Sequence, residues 1–258
     1  MAWGLVTGAS SGIGYEFAKI LADDGYDVIL VARREDRLQE LKTEIQNSSQ
    51  QKVEVIKADL QDPDQIVEVH NKAMKITDRL EVLINNAGFG QVGDFCDSDL
   101  DKNLKMIDLN VRALTHLTGL FATSMKQARL GYICNVASTA AFQPGPGMAV
   151  YFATKAYVLS FSEALAAELE EDNVFVSALC PGPTVSEFGK VANFSSSGVL
   201  KSTSLPTSKE VAEFGYRAMK EGRSSAIHGT LNAIMAQSNR LVPRAISARI
   251  TRKMISKA

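Results

Sequence analysis

AWGLVTGASSGIGYEFAKILADDG, residues 2–25, passes from a short apolar run through a turn of small residues into an amphipathic stretch. Residues 2–6 read as a β-strand. Further on, Phe17, Ala18, Leu21 and Ala22 share one face of a helix, which Gly25 closes. Between strand and helix lies TGASSGIG, residues 7–14. Gly8 suits the sharp turn out of the strand, Gly12 lets a ligand approach the backbone, and Gly14 lets the helix pack near the sheet. The helix N-terminus then turns its free amides and the positive end of its dipole towards any phosphate. The spacing is GxxxGxG rather than the commoner GxGxxG, and glycines that serve chain geometry alone would look the same. A strand before and a helix after favour a nucleotide site.

The same alternation continues along the chain. YDVILVA, VEVIKADL, EVLINNAG, GYICNVAS and VFVSALCPG read as strands. REDRLQELKTEI, a segment opened by Pro63, residues 104–128 and AVYFATKAYVLSFSEALAAELEE read as helices. Continuously apolar strands separated by helices predict an α/β fold: a doubly wound parallel sheet with helices on both faces, forming one domain over residues 1–258. Residues 183–208, rich in Ser with Gly and Pro, break the rhythm directly after a strand end, where ligands bind in such sheets. They are expected to form a lid, which together with FGQVGDF, residues 89–95, shapes a substrate pocket.

Composition bounds the rest. The chain has 258 residues, 45% hydrophobic and 22% charged, with a formal net charge of −1, which gives no general attraction to nucleic acid. Cys96, Cys134 and Cys180 are widely spaced, which argues for a reducing, cytoplasmic setting and against structural zinc. No apolar run approaches the roughly 20 residues of a spanning helix, and no signal peptide is expected.

The second strand ends in Ala32, Arg33 and Arg34. A carboxylate there would accept hydrogen bonds from an adenosine ribose; an arginine instead binds a 2′-phosphate through a charged fork. NADP is therefore expected over NAD, with Arg33 the stronger of the two candidates. Asp59, at the end of the third strand, suits the adenine amino group, or equally a cap for the helix behind Pro63.

Tyr151 and Lys155, in YFATKAY, stand four residues apart on a helix, with Cβ atoms about 5–6 Å apart. A phenol with a pKa of about 10 is a poor base until a neighbouring cation stabilises its anion. Alone, the pair reads equally as a surface contact. Ser138, at the end of GYICNVAS, is positioned to hydrogen-bond a carbonyl oxygen, although a serine there also suits a turn. Asn110 is an unfavourable helix-interior choice among Ile107, Leu109 and Val111, and suggests a kink or a held water.

TGASSGIG, NNAG (residues 85–88), Asn110, Ser138, Tyr151-xxx-Lys155 and Pro181-Gly182, in this order over nearly the whole chain, resemble the short-chain dehydrogenase/reductase family. The resemblance implies a Rossmann-type sheet of about seven strands. It implies hydride transfer between nicotinamide and a carbonyl or alcohol substrate. Tyr151 would be the acid/base, Ser138 the carbonyl-polarising donor, and Lys155 the group that lowers the tyrosine pKa and holds the nicotinamide ribose. Asn110 would anchor a water leading to Lys155. Cofactor contacts carry over to Gly8, Ser10, Ser11, Gly12, Ile13, Gly14, Arg33, Arg34, Asp59, Leu60, Asn86, Ala87, Gly88, Tyr151, Lys155, Pro181, Gly182, Thr184 and Ser186. Ser186 stands where the family more often has Thr.

A homodimer or homotetramer is implied by the family's habit of pairing its long helices, and the small residues Ala153, Ala156, Ser160, Ala164 and Ala167 suit close packing. After Glu221 the chain has no Asp or Glu but is rich in Arg and Lys. Pro243 can start a basic helix over about residues 240–257, whose stripe Ile246, Ile250 and Met254 would dock on its own domain or on another subunit; a membrane surface is the less favoured partner. Two alternatives to an NADP-dependent enzyme stay open. One is a non-catalytic NADP(H) sensor or scaffold. The other is a membrane-associated lipid-carbonyl reductase, whose lid would carry Val191, Phe194, Val199 and Leu200.

Overall fold

A computed structural model describes residues 2–188, 205–239 and 241–255. The first strand and helix, β1 (Trp3–Thr7) and α1 (Gly12–Asp23), are followed by β2 (Asp27–Ala32), α2 (Glu35–Ser48), β3 (Val53–Lys57), α3 (Pro63–Ile76) and β4 (Leu80–Asn85). Then come α4 (Leu100–Ile107), α5 (Leu114–Ala128), β5 (Gly131–Val136), α6 (Ala149–Leu169) and β6 (Val174–Cys180). The described chain ends with α7 (Ser208–Lys220), β7 (Ser225–Ile227), α8 (Thr230–Ser238) and α9 (Arg244–Ile255). All seven strands are parallel, in the order β3-β2-β1-β4-β5-β6-β7.

The central strands are chiefly apolar because both faces are covered, whereas the edge strand β3 exposes Glu54 and Lys57. Leu5 belongs to the core under α3 and α5, with Ile29, Ile66, Leu83, Leu117 and Phe121. Its neighbour Val6 points into the opposite core, with Phe17, Leu21, Leu30, Leu38, Leu41 and Val211. That switch follows from the two-residue period of a strand. Strand order reverses between β1 and β4, so the crevice beyond their C-terminal ends is where this sheet opens.

Several local readings are refined. Residues 104–128 are not one regular helix: α4 and α5 are joined by a π turn, Asp108–Ala113, with buried Asn110 inside it. Asp62, not Asp59, caps α3, its carboxylate accepting from the Asp64 amide at 3.0 Å. The terminal helix is turned over relative to the expected stripe. Ser247 and Thr251 are buried, whereas Ile246 and Ile250 remain 48% and 52% exposed. The side chain of Met254 and most of the expected lid, including Val191, Phe194, Val199 and Leu200, lie outside the described residues. The two ends of that segment meet: Val185 bridges Thr207, and the Val185 amide donates to the Pro206 carbonyl at 3.0 Å. Among the described residues no helix is long and apolar enough to cross a membrane.

Candidate active site

The glycine turn leaves β1 into the crevice. Gly8 takes φ +65° and Gly12 φ +62°, conformations that disfavour any side chain. Thr7, which sequence reasoning passed over, joins this turn to β4: its hydroxyl donates to the Ile84 carbonyl at 3.2 Å and accepts from the Asn86 and Ala87 amides, each at 3.0 Å. The Asn86 amide group donates to the Thr7 carbonyl at 3.0 Å. A Cβ on Gly14 would fall 2.4 Å from Asn86 Nδ2 and 2.6 Å from the Gly8 carbonyl oxygen, so this glycine packs against the turn itself. A Cβ on Gly12 would make ordinary contact with Ser186 at 3.6 Å and the Ser208 hydroxyl at 3.7 Å, so here the positive φ, not crowding, is what favours glycine.

A cleft of about 560 Å³ runs from this turn along the strand ends. Its wall contains Gly8, Ser10, Ser11, Gly12, Ile13, Arg33, Arg34, Asp59, Leu60, Asn86, Ala87, Gly88, Ser138, Tyr151, Lys155, Pro181, Gly182, Thr184 and Ser186. Of the residues expected at the site, Gly14 and Asn110 alone lie behind the wall. Of residues 89–95, Phe89 lines the cleft and the remainder does not. At one end Arg34 donates to the Ser11 hydroxyl at 2.8 Å and pairs with Glu187 at 2.9 Å. Arg33 faces Asp59 at 3.8 Å.

At the other end, β5 delivers Ser138 and α6 delivers Tyr151 and Lys155. Ser138 lines the cleft; its hydroxyl accepts from the Ala140 amide at 3.1 Å to start the short turn Thr139–Phe142, and donates to the Pro181 carbonyl at 3.4 Å. The buried Lys155 ammonium donates to the Val136 carbonyl at 2.7 Å and lies 5.8 Å from the centre of the Tyr151 ring. Phe188, unmarked in the sequence, tilts against that ring at 5.4 Å.

Burial sets the direction of both pKa values in this cleft. Burial pushes the Tyr151 phenol up to about 12, with only the Ser138 hydroxyl opposing it. Burial pushes the Lys155 ammonium down to about 8. One of the three ammonium donors goes to the Val136 carbonyl, which leaves two for other partners.

Asn110 works as a splint. Its side chain accepts from the Phe89 amide at 3.1 Å and donates to the Phe89 carbonyl at 3.0 Å and the Thr154 hydroxyl at 3.1 Å. It thereby ties the loop after β4 to α6, next to Lys155.

A doubly wound sheet with its cleft at the reversal of strand order, floored by a glycine turn, defines a dinucleotide-binding α/β protein. The chain belongs to the short-chain dehydrogenase/reductase family, whose description "short chain dehydrogenase" matches residues 3–194. It is 33% identical over 178 residues to an oxidoreductase of Staphylococcus saprophyticus, covering 69% of this chain and 76% of the relative. A short-chain dehydrogenase from Sphingobium yanoikuyae, solved in complex with NADPH, superposes with a TM-score of 0.83 at 31% identity, covering 93% of this chain and 94% of that one. A bulky-bulky ketone specific alcohol dehydrogenase from Comamonas testosteroni gives a TM-score of 0.80 at 28% identity, covering 93% and 92%.

Proposed function

We propose that this protein is a cytoplasmic NADP-dependent oxidoreductase that interconverts a carbonyl compound and its alcohol. The observation that carries the reading is convergence: Ser138, Tyr151 and Lys155 line the same cleft as the glycine turn. The glycine turn and the N-terminus of α1, both on the cleft wall, fit a pyrophosphate laid on backbone, and Arg33 and Arg34 fit a 2′-phosphate at the end of β2. Bound there, NADPH would supply the hydride. Tyr151 keeps its proton at neutral pH, which suits it to protonate a carbonyl oxygen; Ser138 donates a hydrogen bond to the same oxygen. Lys155 holds the ribose hydroxyls, and Thr184 and Ser186 hold the carboxamide. Any water running to Lys155 hangs from the Asn110 backbone in the π turn, since its side chain is committed elsewhere.

Tyr151→Phe decides between this reading and a non-catalytic NADP(H) sensor. In a panel of carbonyls followed by NADPH absorbance, the variant should lose roughly 10²–10⁴-fold in turnover while binding NADPH within about twofold of the parent. Undiminished turnover would show that another group is the acid; a parent protein that binds NADPH but reduces nothing would favour the sensor.

A further inference from the structure

The far wall of the cleft is built by elements far apart in sequence. Thr251 and Ile255, on the inner face of α9, line the cleft, and Ile255 packs over Gly147. The Thr251 hydroxyl is spent on the Ser247 carbonyl at 3.0 Å. Phe89, Met148, Phe152, Phe188 and Ile255 supply apolar surface. The acidic and arginine side chains of the wall gather at the opposite end, in the pairs Arg33–Asp59 and Arg34–Glu187. Lys155 lines this end, one of its three N–H donors going to the Val136 carbonyl at 2.7 Å. Among the described residues of the wall, the substrate end therefore has no cation beyond Lys155.

Besides Ser138 and Tyr151, it offers an oriented amide. Gln143 lines the cleft five residues after Ser138, just past the short turn that Ser138 starts. The Ser247 hydroxyl donates to Asn239 Oδ1 at 2.8 Å, and Asn239 Nδ2 donates to the Met235 carbonyl at 3.0 Å. A backbone carbonyl only accepts, so the amide nitrogen of Asn239 is fixed on that side. The same nitrogen meets Gln143 Oε1 at 2.6 Å. Gln143 must then present oxygen to Asn239, which leaves its Nε2, with two N–H donors, for an occupant of the cleft.

We infer that the substrate is a carbonyl compound or alcohol bearing a second hydrogen-bond acceptor, which Gln143 Nε2 takes, with Asn239 and Ser247 on the terminal segment acting as positioning residues. The inference rests on the hydride-transfer reading and narrows it to substrates whose second acceptor reaches Gln143.

The test compares a bicyclic diketone with the monoketone of the same skeleton, by binding to the NADP⁺-loaded protein and by NADPH-dependent reduction. The parent should bind the diketone about tenfold more tightly, the scale of one well-made hydrogen bond. Gln143→Leu should bring the two within about twofold by weakening diketone binding, with NADPH affinity and melting temperature near parental showing that the variant is folded. Asn239→Asp puts an acceptor where Gln143 now meets a donor, so it should turn the glutamine amide over and shift the preference to a keto-alcohol. A diketone preference that survives Gln143→Leu, or none in the parent, overturns the inference. A diketone preference in binding without reduction of either ketone supports the inference and sinks the hydride-transfer reading instead.

Discussion

At the scale of single residues, the site is costly to assemble. Lys155 is buried with its pKa lowered from 10.5 to about 8. Between those values the unfolded chain binds the extra proton, so the contribution of this group to stability rises with pH across that window and is at its worst below it. Lys155→Met removes the titration. The unfolding free energy of the variant relative to the parent should therefore fall by about 1–2 kcal/mol between pH 7 and pH 9.5 in paired urea titrations. A difference that does not change with pH would mean the ammonium is not desolvated. The raised tyrosine does not interfere, because its own window, from 10.0 to about 12, lies higher and has the opposite sign. At the other end of the cleft, Arg33 faces Asp59 at 3.8 Å, its one ion pair among the described residues. Arg33→Ala should cost about 1–3 kcal/mol in NADPH binding and little in NADH binding. An unchanged ratio of the two dissociation constants would remove Arg33 from the 2′-phosphate site.

At the scale of elements, the glycines separate propensity from packing. Alanine exceeds glycine in a helix interior by about 0.5–1 kcal/mol. Gly119, in α5, has nothing within 4 Å of the point where an alanine methyl would sit, so Gly119→Ala should stabilise by about that amount. Gly14 is also helical, yet its methyl would strike the Gly8 carbonyl and the Asn86 amide. Gly14→Ala should lose about 1–3 kcal/mol and weaken NADPH binding with it. Thermal melts of the two variants check this, and a stabilised Gly14→Ala would mean the turn can yield. The same contrast marks what the sequence could reveal. Six strands were legible, five because burial on both faces makes them chiefly apolar runs and β3 because its Val and Ile residues alternate with exposed Glu54 and Lys57. Strand β7 was not, being three residues with one serine. The glycine turn, Ser138, Tyr151 and Lys155 were legible because each sits at a strand end or on one helical face, within a local pattern. Asn110 looked anomalous, but its π turn and its grip on Phe89 needed coordinates. Gln143, Asn239 and Phe188 carry no local signal at all, since Gln143 and Asn239 meet across 96 residues of chain.

At the scale of the whole molecule, two surfaces expose large apolar side chains. One joins α4 and α6, where Leu100, Leu104, Ile107 and Tyr157 lie beside exposed Ala153, Ser160, Ala164 and Ala167. Tyr157 is held in place there, stacked on Phe161 and hydrogen-bonded to Thr115 at 2.9 Å. The other spans α8 and α9, with Leu231, Ile234, Leu241, Ile246 and Ile250. Its surroundings are basic, because no Asp or Glu follows Glu221. Two copies meeting there would oppose like charges. The α4–α6 face carries both signs, including Asp101, Lys105, Arg112 and Glu163, and its small residues let two helices approach closely. Self-association is therefore expected through α4 and α6. Light scattering after size exclusion should give at least twice the chain mass for the parent. Ala164→Arg should reduce it to one chain mass, while Ile234→Arg on the other surface should leave it unchanged. A parent that elutes as one chain, or an Ile234→Arg variant that alone dissociates, would move the interface away from α6.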